Sequence, residues 1–144
     1  MPSVKHSALI GFSAEQMFDL VNDIEQYPKF LPSCKSARVI SATDGELVGE
    51  LCLAKAGISQ CFTTQNTLSR PDSIKLQLVK GDFSQLEGEW TFESLRESAC
   101  RIELVMNFQF NSVMLGYAAE KLLSGTIAGL VDAIVKRANE VYSQ

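Results

Sequence analysis

Histidine is nearly missing from this chain of 144 residues: His6 is the only one, and it stands close to one end. A Ser/His/Asp or Cys/His nucleophile set, or a histidine-based metal centre, has almost nothing to build on. His6 therefore reads as a solvated or locally satisfied side chain. The phosphate-cradling GxGxxG and GxxxxGK[ST] loops, the zinc-protease HExxH and the GxSxG elbow are absent as well. Cysteine occurs at Cys34, Cys52, Cys61 and Cys100, but the spacings match no zinc or CxxC pattern. Cys52, Cys61 and Cys100 lie in strand-like runs, where a thiol behaves as a small apolar group. All the cysteines are thus expected as free structural thiols in a reducing compartment. No run approaches the ~18 apolar residues of a membrane span, and Ala8-Leu9-Ile10 is too short for the apolar part of a signal peptide. Positive charge is not in excess either. A formal net charge of −4 argues against a generally basic nucleic-acid binder and predicts no DNA partner. The expectation is a soluble, cytoplasmic, single-domain protein over residues 1–144, requiring no cofactor and no metal.

What the chain does have is periodicity. From Ser112 to Ser143, Leu115, Ala119, Leu122, Leu123, Ile127, Leu130, Ile134, Ala138 and Val141 recur in steps of three and four, the stripe of an amphipathic helix. Asn111 or Ser112 can cap its start, and no proline interrupts it. At 1.5 Å per residue it is on the order of 45 Å long, enough to cross a small domain. Gly116, Gly125 and Gly129 interrupt the stripe. Each costs roughly 1 kcal/mol relative to alanine, so they predict either close approach to a sheet or open space beside the helix.

Most of what precedes this helix alternates with a period of two. Ser3 to Gly11 reads as a first strand, and Ser13 with Gln16 has the capping-box spacing that opens a helix with Met17, Leu20, Val21 and Ile24 on its apolar face. In Tyr27-Pro28-Lys29-Phe30-Leu31-Pro32-Ser33-Cys34 the prolines oppose a regular helix. Large apolar residues on such a loop predict a plug over one end of the core, or the wall of a pocket. Strands follow at 37–41, 46–54, 58–68, 74–78, 86–93 and 100–111, with an Asp44-Gly45 hairpin signal between the first pair. The alternation of the 58–68 strand is blurred at Thr63, Thr64, Gln65 and Asn66. One wet face and one dry face imply an antiparallel meander covered on one side. A strongly twisted meander curls, and its concave side accepts the long helix.

The dry face carries Trp90, Phe92, Met106, Phe108 and Phe110 opposite leucines, alanines and glycines of the helix. A cavity between them would be walled almost entirely by apolar groups and would take a hydrophobic molecule, carried inside the protein or met at a membrane surface. Glu87, Glu89 and Glu93 lie on the wet face, and Glu120 and Lys121 read as surface charges or as groups facing a pocket mouth. The residues alone thus describe an α+β domain with a helix against a curved sheet and no catalytic set.

Four segments occur in order: Tyr27-Pro-x-Phe-Leu-Pro-x-Cys34, Ala56-Gly-Ile-Ser-x-x-Phe-Thr-Thr64, Gly81-x-Phe83-x-x-Leu-x-Gly-x-Trp90-x-Phe92 and Val131-Asp-Ala-Ile-Val-Lys-Arg-Ala138. In this combination the chain resembles the coenzyme Q-binding, polyketide cyclase-like branch of the START-like superfamily, in particular its bacterial ribosome association toxins. The resemblance covers essentially the whole chain. It implies a helix-grip fold, in which a curved antiparallel sheet grips the C-terminal helix around an apolar cavity. It also implies non-catalytic binding of ubiquinone or a related isoprenoid lipid in support of respiratory electron transfer. The candidate walls are Tyr27, Phe30 and Leu31 on the loop, Phe83, Trp90 and Phe92 on the sheet, and Leu122, Ile127 and Leu130 on the helix. The alternative it implies is a regulator that binds the large ribosomal subunit and blocks subunit joining, with Lys29, Lys35, Arg38, Lys136 and Arg137 as candidate ribosome-facing cations. A cyclase or dehydratase, found elsewhere in the superfamily, needs an acid or base inside the cavity, and the inward faces carry almost none. Asp82 stands where members often have proline between Gly81 and Phe83, which loosens that turn.

Overall fold

The computed structural model describes residues 3–55, 57–110 and 113–143, with side chains left out for 113–116. Ser13 caps the first helix as its sequence predicts: Gln16 N–H donates to Ser13 Oγ (3.1 Å), and Ser13 N–H donates to Gln16 Oε1 (3.0 Å). That helix, α1 (Ala14–Asn22), follows β1 (Ser3–Ile10) and buries Met17, Phe18 and Val21. A 3-10 turn at Ile24–Gln26 leads into a single helical turn, α2 (Tyr27–Phe30). The expectation that the prolines exclude a helix here fails for this one turn, because Pro28 falls in the first turn, where its missing N–H has no partner to lose.

Six strands follow: β2 (Cys34–Ala42), β3 (Glu46–Lys55), β4 (Ile58–Ser69), β5 (Ser73–Lys80), β6 (Phe83–Arg96) and β7 (Ala99–Phe110). They form the expected antiparallel meander, and β1 returns to close it against β7, giving the order β1-β7-β6-β5-β4-β3-β2. In the β2–β3 hairpin, Thr43 N–H donates to the Glu46 carbonyl (2.8 Å), and Gly45 does not take the left-handed backbone its Asp-Gly pair suggests. Gly57, in the β3–β4 turn, does (φ 82°).

Helix α3 (Val113–Tyr142) lies in the concave side of the sheet. Leu123, Ile127, Ile134 and Ala138 are buried on it, as the stripe requires. Val131, which that stripe does not include, is fully buried, whereas Val141 at its end is 43% exposed. The C-terminal turns are instead fixed by Tyr142, whose hydroxyl donates to the Gln16 carbonyl (2.9 Å) and whose ring meets Phe12. Asn111 and Ser112, named above as caps, lie outside the described residues, as do the side chain of Leu115 and the surroundings of Gly116. Gly125 and Gly129 do not approach the sheet. Both are exposed, and a Cβ at either would meet no atom within 4 Å. The sheet is approached closely at a glycine of its own, since a Cβ at Gly49 would overlap the Ile24 side chain.

The thiol expectation fails at one pair. Cys52 and Cys61 face each other across β3 and β4 with Cα atoms 4.0 Å apart and form a disulfide. Strand patterning shows which face a cysteine takes but not what stands opposite it, and only the register of the hairpin joins these two. Cys34 and Cys100 are free and buried. No helix among the described residues is long and apolar enough to cross a membrane.

Candidate ligand cavity

Between the sheet and α3 lies a cavity of about 80 Å³. Trp90, Leu104 and Met106 form its floor, Leu123, Thr126, Ile127 and Leu130 of α3 its roof, and Ile24, Tyr27 and Leu31 its end wall. Tyr27 is held there by its hydroxyl, which donates to the Val21 carbonyl inside the protein. Burial, reinforced by Cys34 and Asp23, pushes its ionisation well above the usual phenol range. It is the only titratable residue among the cavity's lining residues.

Five of the nine residues proposed as walls from the sequence line this cavity: Tyr27, Leu31, Trp90, Ile127 and Leu130. The other four do not, each for a local reason. Phe30, half-buried, packs edge-on behind the Tyr27 ring and under the guanidinium of Arg137 (5.6 Å). Phe83 packs with Phe62 and Phe110 at the end of the sheet. Phe92 is held between Phe18 and Trp90. Leu122 faces a separate groove on the outside of α3.

The polar lining was not named from the sequence. Thr64 and Asn66 on β4 face the cavity, with the Thr64 hydroxyl donating to Asn66 Oδ1 (2.8 Å). Asn22 lines it too, and its Oδ1 is buried with no partner among the described residues. The signal was the lost alternation at residues 63–66. A register shift between Thr63 and Thr64 lets both be buried. Thr126 of α3 shares a hydrogen bond with Ser33 (2.9 Å), tying the helix to the segment after α2.

The candidate ribosome-facing cations sit on α2, β2 and α3. Arg38 pairs with Glu50 (3.0 Å) on β3, and Arg137 with Glu140 (3.7 Å). Lys136 lies beside Asp132 and Ala8 of β1. Lys29 is exposed on α2, and Lys35 lines the outer groove. His6 pairs with Asp132 (3.6 Å) at the surface.

A strongly bent seven-stranded sheet around one helix, with a nearly apolar hollow between them, is a shape shared with known proteins. Residues 10–135 match the family described as polyketide cyclase / dehydrase and lipid transport. The chain belongs to that family. It is 42% identical over 143 residues to the ribosome association toxin RatA of Escherichia coli K12, covering 99% of this chain and 90% of that one. It is 26% identical to the mitochondrial coenzyme Q-binding protein COQ10 homolog B of Xenopus laevis, over 96% of this chain and 58% of that one. Among solved structures, the ZhuI aromatase/cyclase of Streptomyces sp. R1128 superposes with a TM-score of 0.84 at 15% identity, over 96% of this chain and 94% of that one. That superposition shows the START-like fold. The relatives named RatA and COQ10 homolog are not named as enzymes, whereas the cyclase is, so family membership alone leaves the presence of chemistry open.

Proposed function

We propose that this chain binds a hydrophobic small molecule without transforming it, in the cavity between the sheet and α3, and that the molecule is ubiquinone or a related isoprenoid lipid. The observation that carries the reading is the cavity wall. It is apolar apart from Asn22, Thr64, Asn66 and Thr126, and its one titratable group, the Tyr27 hydroxyl, is already committed to the Val21 carbonyl. A general acid or base needs a free titratable group within reach of the substrate, and the wall supplies none. Apolar burial supplies affinity at about 0.8 kcal/mol per CH₂.

At about 80 Å³ the cavity is too small to hold such a ligand as it stands. Ligand sites are on the order of 300–1,000 Å³, so binding requires the helix and the segment around Leu31 to part. Native mass spectrometry and organic extraction of protein made in a quinone-producing bacterium test the reading. A co-purifying quinone is expected. Protein that emerges empty and takes up no added quinone overturns it.

A second reading, association with the large ribosomal subunit, is favoured by the 42% identity to RatA over nearly the full length of both chains. Sedimentation with large subunits at two salt concentrations tests it, because phosphate contacts weaken steeply with salt. Absence of co-sedimentation at low salt refutes it.

A further inference from the structure

Most polar side chains in the cavity wall already have a partner. The Tyr27 hydroxyl donates to the Val21 carbonyl, the Thr64 hydroxyl donates to Asn66 Oδ1 (2.8 Å), and the Thr126 hydroxyl shares a hydrogen bond with Ser33 (2.9 Å). Asn22 and Asn66 keep unused capacity. Asn22 Oδ1 is buried with no donor, and Asn66 Nδ2 makes no hydrogen bond, among the described residues. A buried oxygen without a donor costs stability, and an apolar side chain in its place would not. The two asparagines stand at the same end of the cavity. Ile24, two residues beyond Asn22, lies so close to β3 that a Cβ on Gly49 would overlap it. Gly49 in turn pairs with Thr64, two residues from Asn66 on β4. Beside this polar corner the wall is apolar, with Leu76, Trp90 and Met106 on the sheet and Leu123 and Ile127 on α3.

We infer that Asn22 and Asn66 form a subsite for a hydroxyl group, and that the cavity therefore takes the reduced, quinol form of its ligand in preference to the quinone. The inference rests on the cavity-binding reading above. The two spare atoms are complementary to a hydroxyl: Oδ1 accepts, Nδ2 donates, and a hydroxyl does both. A quinone presents carbonyl oxygens, which accept but have nothing to donate. Its oxygen can take the Asn66 N–H, but it leaves Asn22 Oδ1 unpaired. Uptake of two electrons and two protons turns the two carbonyls into hydroxyls, and the ligand then has an O–H for Asn22. A site that hydrogen-bonds a hydroxyl discriminates against the analogue without the proton, because its own buried group then stays unpaired. The protein transfers no electrons in this scheme, since the quinol arrives already reduced.

Equilibrium dialysis of the full chain with a short-tailed ubiquinone analogue tests this. The analogue is supplied oxidised in one arm, and in the other it is reduced beforehand and kept under argon. One added hydrogen bond should make the quinol bind about tenfold more tightly. Redox titration of the bound analogue should then give a midpoint potential about 30 mV above that of the unbound analogue, the equivalent of tenfold for a two-electron couple. Asn22→Leu removes the unpaired oxygen, so it should melt at or above the wild-type temperature and bind both forms alike. Equal affinity for the two forms in wild type, or tighter binding of the quinone, overturns the hydroxyl subsite and leaves the cavity reading standing. Binding of neither form overturns the cavity reading, and the subsite with it. An Asn22→Leu variant that still prefers the quinol overturns the assignment to Asn22.

Discussion

Gly125 and Gly129 offer the sharpest test, because stability and function should move in opposite directions there. Both lie inside an α-helix, both are exposed, and a methyl group on either would touch nothing within 4 Å. Glycine in a helix interior is about 1 kcal/mol worse than alanine. With no clash to offset that gain, Gly125→Ala/Gly129→Ala should stabilise the protein by about 2 kcal/mol. For a chain of this size the gain corresponds to a rise in melting temperature of roughly 6–8 °C. Circular dichroism melts and urea titrations of the two single variants and the double variant measure it. The methyls would also occupy the groove wall beside Leu122. If a ligand reaches the cavity by this groove, uptake of a quinone analogue should slow in the stabilised double variant. A double variant no more stable than wild type would mean that the helix backbone is used in a way the structure does not show. A stabilised variant with unchanged uptake would rule the groove out as a route to the cavity.

Further outcomes follow from individual side chains. Tyr27→Phe removes the donor to the buried Val21 carbonyl and should cost about 1–3 kcal/mol in urea denaturation; an unchanged midpoint would show that the hydroxyl contributes nothing. Burial pushes the Cys100 thiol from 9.0 up to about 11, with Glu15 adding to the shift. Its contribution to stability is complete below pH 9 and lost as pH rises through 11, so the urea midpoint should fall across that window, and less steeply in Cys100→Ala. Thiol titration of protein unfolded without reductant should find Cys34 and Cys100 only, and Cys52 and Cys61 should join them after reduction; all four reacting at the outset would rule out the disulfide.

Where local chemistry decides, the sequence was a sufficient guide. The capping box at Ser13 and Gln16 formed, the strict alternation of 86–93 and 100–110 became β6 and β7, and the leucine stripe became α3. What escaped depends on pairings between distant residues. The Cys52–Cys61 bond and the closing of β1 onto β7 follow from register, which a strand's own pattern does not encode. Phe30, Phe83 and Phe92 are as large and apolar as Trp90, and nothing in their spacing separates a ring that lines a hollow from one that fills it. The glycines of α3 were legible as a demand for space, but not as space on the solvent side of the helix. The polar pair Thr64 and Asn66 did leave a trace, because buried polar residues on a bulged strand break the alternation their neighbours keep.

The small size of the cavity also bears on how the interior and the outer surface relate. If a ligand enters between α3 and the segment after α2, the Ser33–Thr126 hydrogen bond has to break and Leu31 has to move away from α3. The segment after α2 runs into Lys35, and α3 carries Lys121. Any partner that grips these lysines in the open form lowers the cost of opening, and by reciprocity a ligand that holds the cavity open strengthens the grip by the same factor. A partner that grips both forms equally changes nothing inside, however tightly it binds. Quinone-analogue affinity measured with and without anionic vesicles, and with and without ribosomal subunits, therefore reports more than occupancy. A matched change in both affinities identifies the partner whose surface is coupled to the cavity, and equal affinities show that the interior and the lysine face act independently.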